Sequence, residues 1–159
     1  MTSGYAPPGE DRPLGGYALL MSLFGAAFGG GLLATRRAGH EPPEHVSAGD
    51  VVMIGIATQK LSRTLAKDKV TSTLRAPFTR YEESSGYGEV SEQPRGRGLR
   101  KSVGELVLCP FCLSQWVAGG FALGLIAAPR TTRLLAAMWT AQSIADVAQL
   151  AYVAAEERV

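Results

Sequence analysis

From residue 110 to residue 128 the chain runs for 19 residues without a charge. A helix needs about 20 predominantly apolar residues to cross a bilayer, so this run restricts the fold more than any other stretch. It opens with Cys109-Pro110-Phe111-Cys112-Leu113-Ser114-Gln115-Trp116, which holds both cysteines of the 159-residue chain. Two thiols placed at the head of such a run fall where a membrane helix meets water.

Bulk composition does not separate a membrane protein from a soluble one here, because 46% hydrophobic and 19% charged residues suit either. The distribution of charge is more informative. Charges are absent from 14–35 and 106–128, sparse at 51–66 and nearly absent from 134–155; they crowd into 36–50, 60–105 and the two ends. Alternating apolar runs and charged loops are the pattern of a polytopic membrane protein. The expected fold is therefore all-α, with about four transmembrane helices at 14–35, 51–66, 110–128 and 134–155, forming a single membrane domain over 14–159. Residues 1–13, rich in proline, read as a disordered leader. The first apolar run is 22 residues long, beyond the roughly 7–15 of a signal-peptide core, so it reads as a span. Its Gly25-x-x-x-Gly29 and Ala26-x-x-x-Gly30 spacings, and Gly120-x-x-x-Gly124 later, suit close helix approach.

The segment 66–103 reads as a basic cytoplasmic loop. It carries eight basic residues, Lys67, Lys69, Arg75, Arg80, Arg95, Arg97, Arg100 and Lys101, against five acids, Asp68, Glu82, Glu83, Glu89 and Glu92. Basic loops mark the cytoplasmic side, and four spans then put both termini in the cytoplasm of a multi-pass cell-membrane protein. Residues 67–81 mix basic, aromatic and apolar side chains, which suits packing on the membrane surface, with Lys67, Lys69, Arg75 and Arg80 binding anionic lipid head groups or a partner. Residues 84–94 read as flexible, and 129–133 as a short turn. The RGRG run at 95–98 reads as a juxtamembrane anchor, with no nucleic-acid partner.

An acid inside a membrane helix needs a partner. Gln142, Asp146 and Gln149 share one helix face, and at 1.5 Å per residue Arg63, or Lys60 a turn away, lies about level with Asp146. The expected buried ion pair is a clamp between helices, with a proton or ion relay as the functional alternative.

The CPFC motif has its own logic. A helix starting at Pro110 would set Cys109 against the positive end of the helix dipole, which stabilises a thiolate. Cys109 would attack and Cys112 would resolve. Packed inert cysteines and a metal site shared with another chain are the competing readings. In a reducing cytoplasm the pair would rest as a dithiol. Trp116 reads as an interfacial anchor. His40, Glu41, Glu44 and His45 surround Pro42-Pro43, which prevents helical presentation, and read as a solvated loop rather than metal ligands. No metal or cofactor is expected, and the sequence contains no hydrolase triad motif or phosphate-binding loop.

The segments KLSRTLAKDKVTSTLRAPFTRYE (60–82), RGRGLR (95–100), GELVLCPFCLSQWV (104–117) and ADVAQLAY (145–152) together resemble a family of small bacterial membrane proteins known as domain of unknown function 1360. The resemblance covers about 46 to 152. It implies an integral membrane protein, with some members in spore-forming bacteria, and carries over no activity, substrate or catalytic residue. The leading expectation is a non-enzymatic membrane scaffold or interaction protein, as a homo-oligomer or with a protein partner, working through 67–82. A thiol-redox protein using Cys109 and Cys112 is the alternative, and a transporter component built on Asp146 and Arg63 is the third.

Overall fold

In the computed structural model, which describes Tyr5, Pro7 and residues 12–158, four long helices form a bundle and one end of it carries a folded cap. The leader reading at 1–13 lies mostly outside the described residues. The long helices are α1 (Leu14–Arg37), α2 (Ala48–Lys67), α5 (Pro110–Ala127) and α6 (Pro129–Glu156). Between α2 and α5 come a 3-10 turn at Lys69–Thr71, the single turn α3 (Ser72–Arg75), strands β1 (Thr79–Ser84) and β2 (Val90–Pro94), and α4 (Leu99–Leu108).

Local chemistry sets the helix ends. Ser47 caps α2 by accepting from the Asp50 amide at 3.0 Å, satisfying one of the free N–H groups at a helix start. Proline occupies the first position of both α5 and α6, where its fixed φ and missing N–H cost nothing. Only Ala128 separates those two helices. The expected turn at 129–133 is instead the first turn of α6, since Pro129 starts a helix as readily as it ends one.

The contacts fix the helix directions. Asp50 meets Arg133, Met53 meets Thr140 and Lys60 meets Asp146, so α2 and α6 run parallel. Phe24 meets Trp116 and Gly31 meets Leu123, so α1 and α5 also run parallel. The small core lies among α2, α5 and α6, where Ala57, Phe121 and Ala136 are buried with Met53, Ile54, Leu61, Val117 and Trp139 around them. Alanine at 57 and 136 lets the helix backbones approach. The glycines that make close approaches are Gly16 against Ser102, Gly31 against Leu123, Gly119 against Phe24 and Phe28, and Gly124 against Thr132. Gly25, Gly29, Gly30 and Gly120 have open space where a side chain would be, so of the glycines in the expected spacing-of-four pairs Gly124 alone makes a close approach within this chain.

The expected all-α fold is corrected to mostly helical with one small sheet. The 66–103 loop, including the part read as flexible, is ordered into a cap whose centre is the antiparallel β1–β2 hairpin, with a bulge between Tyr81 and Glu83. A two-stranded hairpin is marginal alone; this one is docked on α4, where Gly104 leaves room for the Phe78 carbonyl and Pro94. Arg100 Nη2 donates to the Pro77 carbonyl at 2.6 Å, and the Lys69 amide donates to the Gly88 carbonyl at 2.8 Å.

Helices α1 and α5 are long and apolar enough to cross a membrane, and they are the two that are so among the described residues. The expected spans at 51–66 and 134–155 are also helical, but Lys60, Arg63 and Asp146 make them less apolar.

Candidate functional site

The cysteine pair sits at the cap end of the bundle, where α4 ends and α5 begins. Cys109 is the N-cap of α5, with extended backbone, and its Sγ accepts from the Cys112 amide at 3.1 Å. Cys112 is the third helical residue, so both side chains lie on one face of the first turn. They are joined as a disulfide with Cα atoms 5.2 Å apart. The helix start holds the sulfurs within bonding reach; whether the pair rests as dithiol or disulfide in the cell is set by its potential against that of the compartment. Cys109 is half-buried and Cys112 exposed.

Both cysteines line a cleft of about 750 Å³ between α1, α4 and α5. Its walls include Phe24 and Trp116, packed edge to face with ring centres 5.3 Å apart. Trp116 is thus half-buried against α1. At the cap end of the cleft the Tyr17 hydroxyl donates to Glu105. Tyr17 and Phe24 had no signal in the sequence, because only the tertiary fold brings α1 beside the CPFC turn. A second groove of similar size lies between α2 and α5, bounded by Thr58, Gln59 and Arg63 on one side and Phe111 and Ser114 on the other; it holds neither cysteine.

Asp146 finds its partner on α2, and that partner is Lys60 rather than Arg63. Lys60 Nζ lies 2.7 Å from Asp146 Oδ2, with side chains 10% and 42% exposed. Arg63, one turn further along, instead makes a bidentate pair with Glu89 of the hairpin turn, at 2.7 and 2.9 Å, and so ties α2 to the cap. A third pair closes the opposite end of the bundle. Arg133 grips Asp50 at 2.8 and 2.9 Å, and its hydrogen bonds hold the Asp50 carboxyl below the usual carboxylate range, helped by Ser47 and opposed by desolvation.

Of the four residues expected to meet lipid head groups, Lys69 and Arg80 are exposed and Lys67 is half-buried. Arg75 is corrected: it is 1% exposed. Its guanidinium donates to Glu92, to the Leu65 and Asp68 carbonyls and to the Thr71 and Ser72 hydroxyls, all within 3.1 Å. Five donors committed internally leave nothing for a head group. The structural pivot of the cap is therefore a residue read as a binding cation. His40 and His45 are exposed, and no group of three metal-ligating side chains comes together among the described residues.

These features define a class: a helical bundle with a hairpin cap and a CxxC pair at the start of an apolar helix. The chain belongs to the family described as "Protein of unknown function (DUF1360)", which matches residues 53–152, from the first turns of α2 to near the end of α6. It is 27% identical over 100 residues to the "Sporulation protein YjcA" of Bacillus subtilis (strain 168), a match covering 61% of this chain and 85% of that protein. No solved structure matches.

Proposed function

We propose that this is an integral membrane protein whose Cys109–Cys112 pair is a thiol–disulfide exchange site at the bilayer surface. In this reading 14–35, 51–66, 110–128 and 134–155 cross the membrane, and the cap and both termini lie in the cytoplasm. Helix α1 supports it: the helix has no buried residue and exposes Met21, Leu23 and Leu33, which water would penalise and lipid would not. A signal sequence shares that composition, but the contacts of α1 with Ser102, Glu105, Trp116 and Leu123 favour a retained helix of the bundle. The Lys60–Asp146 pair supports spans for α2 and α6, since each charge neutralises the other; the same pair serves as a clamp between those helices. The cap end carries ten basic residues, Arg12, eight in the cap and Arg158, against four at the other end, Arg36, Arg37, Arg130 and Arg133, which favours a cytoplasmic cap.

The observation that carries the thiol reading is the Cys112 amide aimed at Cys109 Sγ. When the pair is reduced, that N–H and the helix dipole stabilise a Cys109 thiolate. The thiolate attacks one sulfur of a partner disulfide and expels the other as a thiolate. Cys112 then attacks Cys109 Sγ, closing the pair and releasing the second partner thiol. The test is the alkylation rate of Cys109 against pH in the lipid-reconstituted Cys112→Ser protein. A thiolate pKa clearly below about 8.5 is the expected result. An ordinary or raised value, with no disulfide formed by the wild type in oxidised glutathione, overturns it.

One observation favours a second reading, a scaffold resting on anionic lipid. Val70 and Leu74 are 80% and 65% exposed, one helical turn apart and beside Lys69. Under that reading, Lys69→Glu with Leu74→Asp lowers the phosphatidylglycerol retained on the purified protein in native mass spectrometry.

A further inference from the structure

We infer that the cleft between α1, α4 and α5 binds a quinone and passes electrons to it from Cys109 and Cys112; this rests on the thiol-exchange reading of the same pair. The cleft's volume of about 750 Å³ lies within the range of about 300–1,000 Å³ typical of small-molecule sites. Its composition selects the ligand class. Phe24 and Trp116 offer aromatic surfaces for a flat ring. Gln115 brings an amide donor for a ring carbonyl, and its side chain makes no hydrogen bond among the described residues. Leu20 and Met21 line the α1 wall, and Met21 is 75% exposed, so an apolar tail has a way out along the bundle surface. The two cysteines that must react form part of the same wall.

The chemistry balances with a quinone and no other oxidant. Two S–H bonds break and one S–S bond forms, releasing two electrons and two protons. The quinone takes both pairs and leaves as a quinol with two new O–H bonds. A soluble dithiol then reduces the pair again by the reverse of that thiol–disulfide exchange, becoming a disulfide itself. The Tyr17–Glu105 hydrogen bond gives protons a route along the wall, since Glu105 is partly exposed at the cap. A lipid-soluble acceptor also suits a thiol pair at the mouth of an apolar helix, where a soluble partner reaches it from one side and a bilayer-borne one from the other.

The test uses the full chain in lipid nanodiscs, reduced, freed of reductant and mixed anaerobically with decyl-ubiquinone. The expected result is one quinol per disulfide formed, read by quinone absorbance and by the mass shift on alkylation, and none with Cys112→Ser. Trp116→Leu is expected to slow the reaction about tenfold. Since that variant can fail to fold, saturable quenching of Trp116 fluorescence by the quinone is measured separately in a Trp139→Phe background. If oxidised glutathione closes the pair but the quinone neither oxidises it nor quenches Trp116, the quinone site is refuted and thiol exchange stands. If neither oxidant closes the pair, thiol exchange fails and the quinone site fails with it.

Discussion

Replacing Arg75 by alanine tests the cap directly. The Arg75 and Glu92 side chains are 2% and 4% exposed, and Arg75 Nε lies 2.7 Å from Glu92 Oε2. Alanine removes the partner and leaves a buried carboxylate with the Thr79 hydroxyl, at 3.2 Å, as its remaining hydrogen bond. Breaking a buried ion pair from one side costs about 3–5 kcal/mol. The same substitution strips a donor from the Leu65 and Asp68 carbonyls at the end of α2, which places the effect toward the upper part of that range. For a chain of this size each kcal/mol shifts Tm by about 2–4 °C, so a drop of about 6–20 °C is expected in detergent, followed by circular dichroism. Limited proteolysis should cut the hairpin first. The double variant Arg75→Met, Glu92→Leu should recover part of the loss, because no unpaired charge remains, but not all of it, because the α2 carbonyls still lack their donor. An Arg75→Ala protein that melts within about 1 °C of wild type would refute the reasoning, since that shift is worth less than about 0.5 kcal/mol. So would a double variant no more stable than the single.

Four further outcomes are expected. The Arg133-paired Asp50 has a lowered folded pKa, so its contribution is present above its unfolded value of about 3.9 and is lost as pH falls through the folded one; melting curves of wild type and Asp50→Asn should differ by a constant amount from pH 6 to 8 and converge in acid below about pH 4. Asp146→Ala, which strands the nearly buried Lys60, should destabilise the bundle by about 1–3 kcal/mol, less than a fully buried pair because Asp146 is partly exposed; Lys60→Met with Asp146→Leu should restore most of it, and equal melting of all three proteins would remove the clamp. A methyl group at Gly104 would stand 2.6 Å from the Phe78 carbonyl, so Gly104→Ala should cost about 1–3 kcal/mol and loosen the hairpin to protease. Gly31→Ala, facing only the movable end of Leu123, should change stability by less than about 0.5 kcal/mol.

Helix positions were the most legible part, because each long helix coincides with a charge-poor run, and α2, α5 and α6 begin at Ser47, Pro110 and Pro129, whose chemistry suits a helix start. Pro110 and Pro129 illustrate both the strength and the limit of that signal: the same residue reads as a start or as a break, and Pro129 was misread as a turn. The hairpin was hidden because its strands, TRYEES and VSEQP, are polar and carry no clean alternation of apolar residues. Their order comes from α4 and from the Arg75–Glu92 pair, both supplied from elsewhere in the chain.

The acid in α6 shows the same division. Sequence depth placed two cations within reach of Asp146 but could not choose between them; Lys60 takes it because Glu89, carried by the hairpin turn, engages Arg63. The four helical runs, the helix start at Pro110 and the nearness of the two thiols were determined by the sequence alone, because the length of a charge-poor apolar run, proline geometry and a three-residue spacing are local properties. The cap, the burial of Arg75 and the cleft beside the cysteines were decided by tertiary structure, because each depends on which distant segment satisfies a charge or fills a wall.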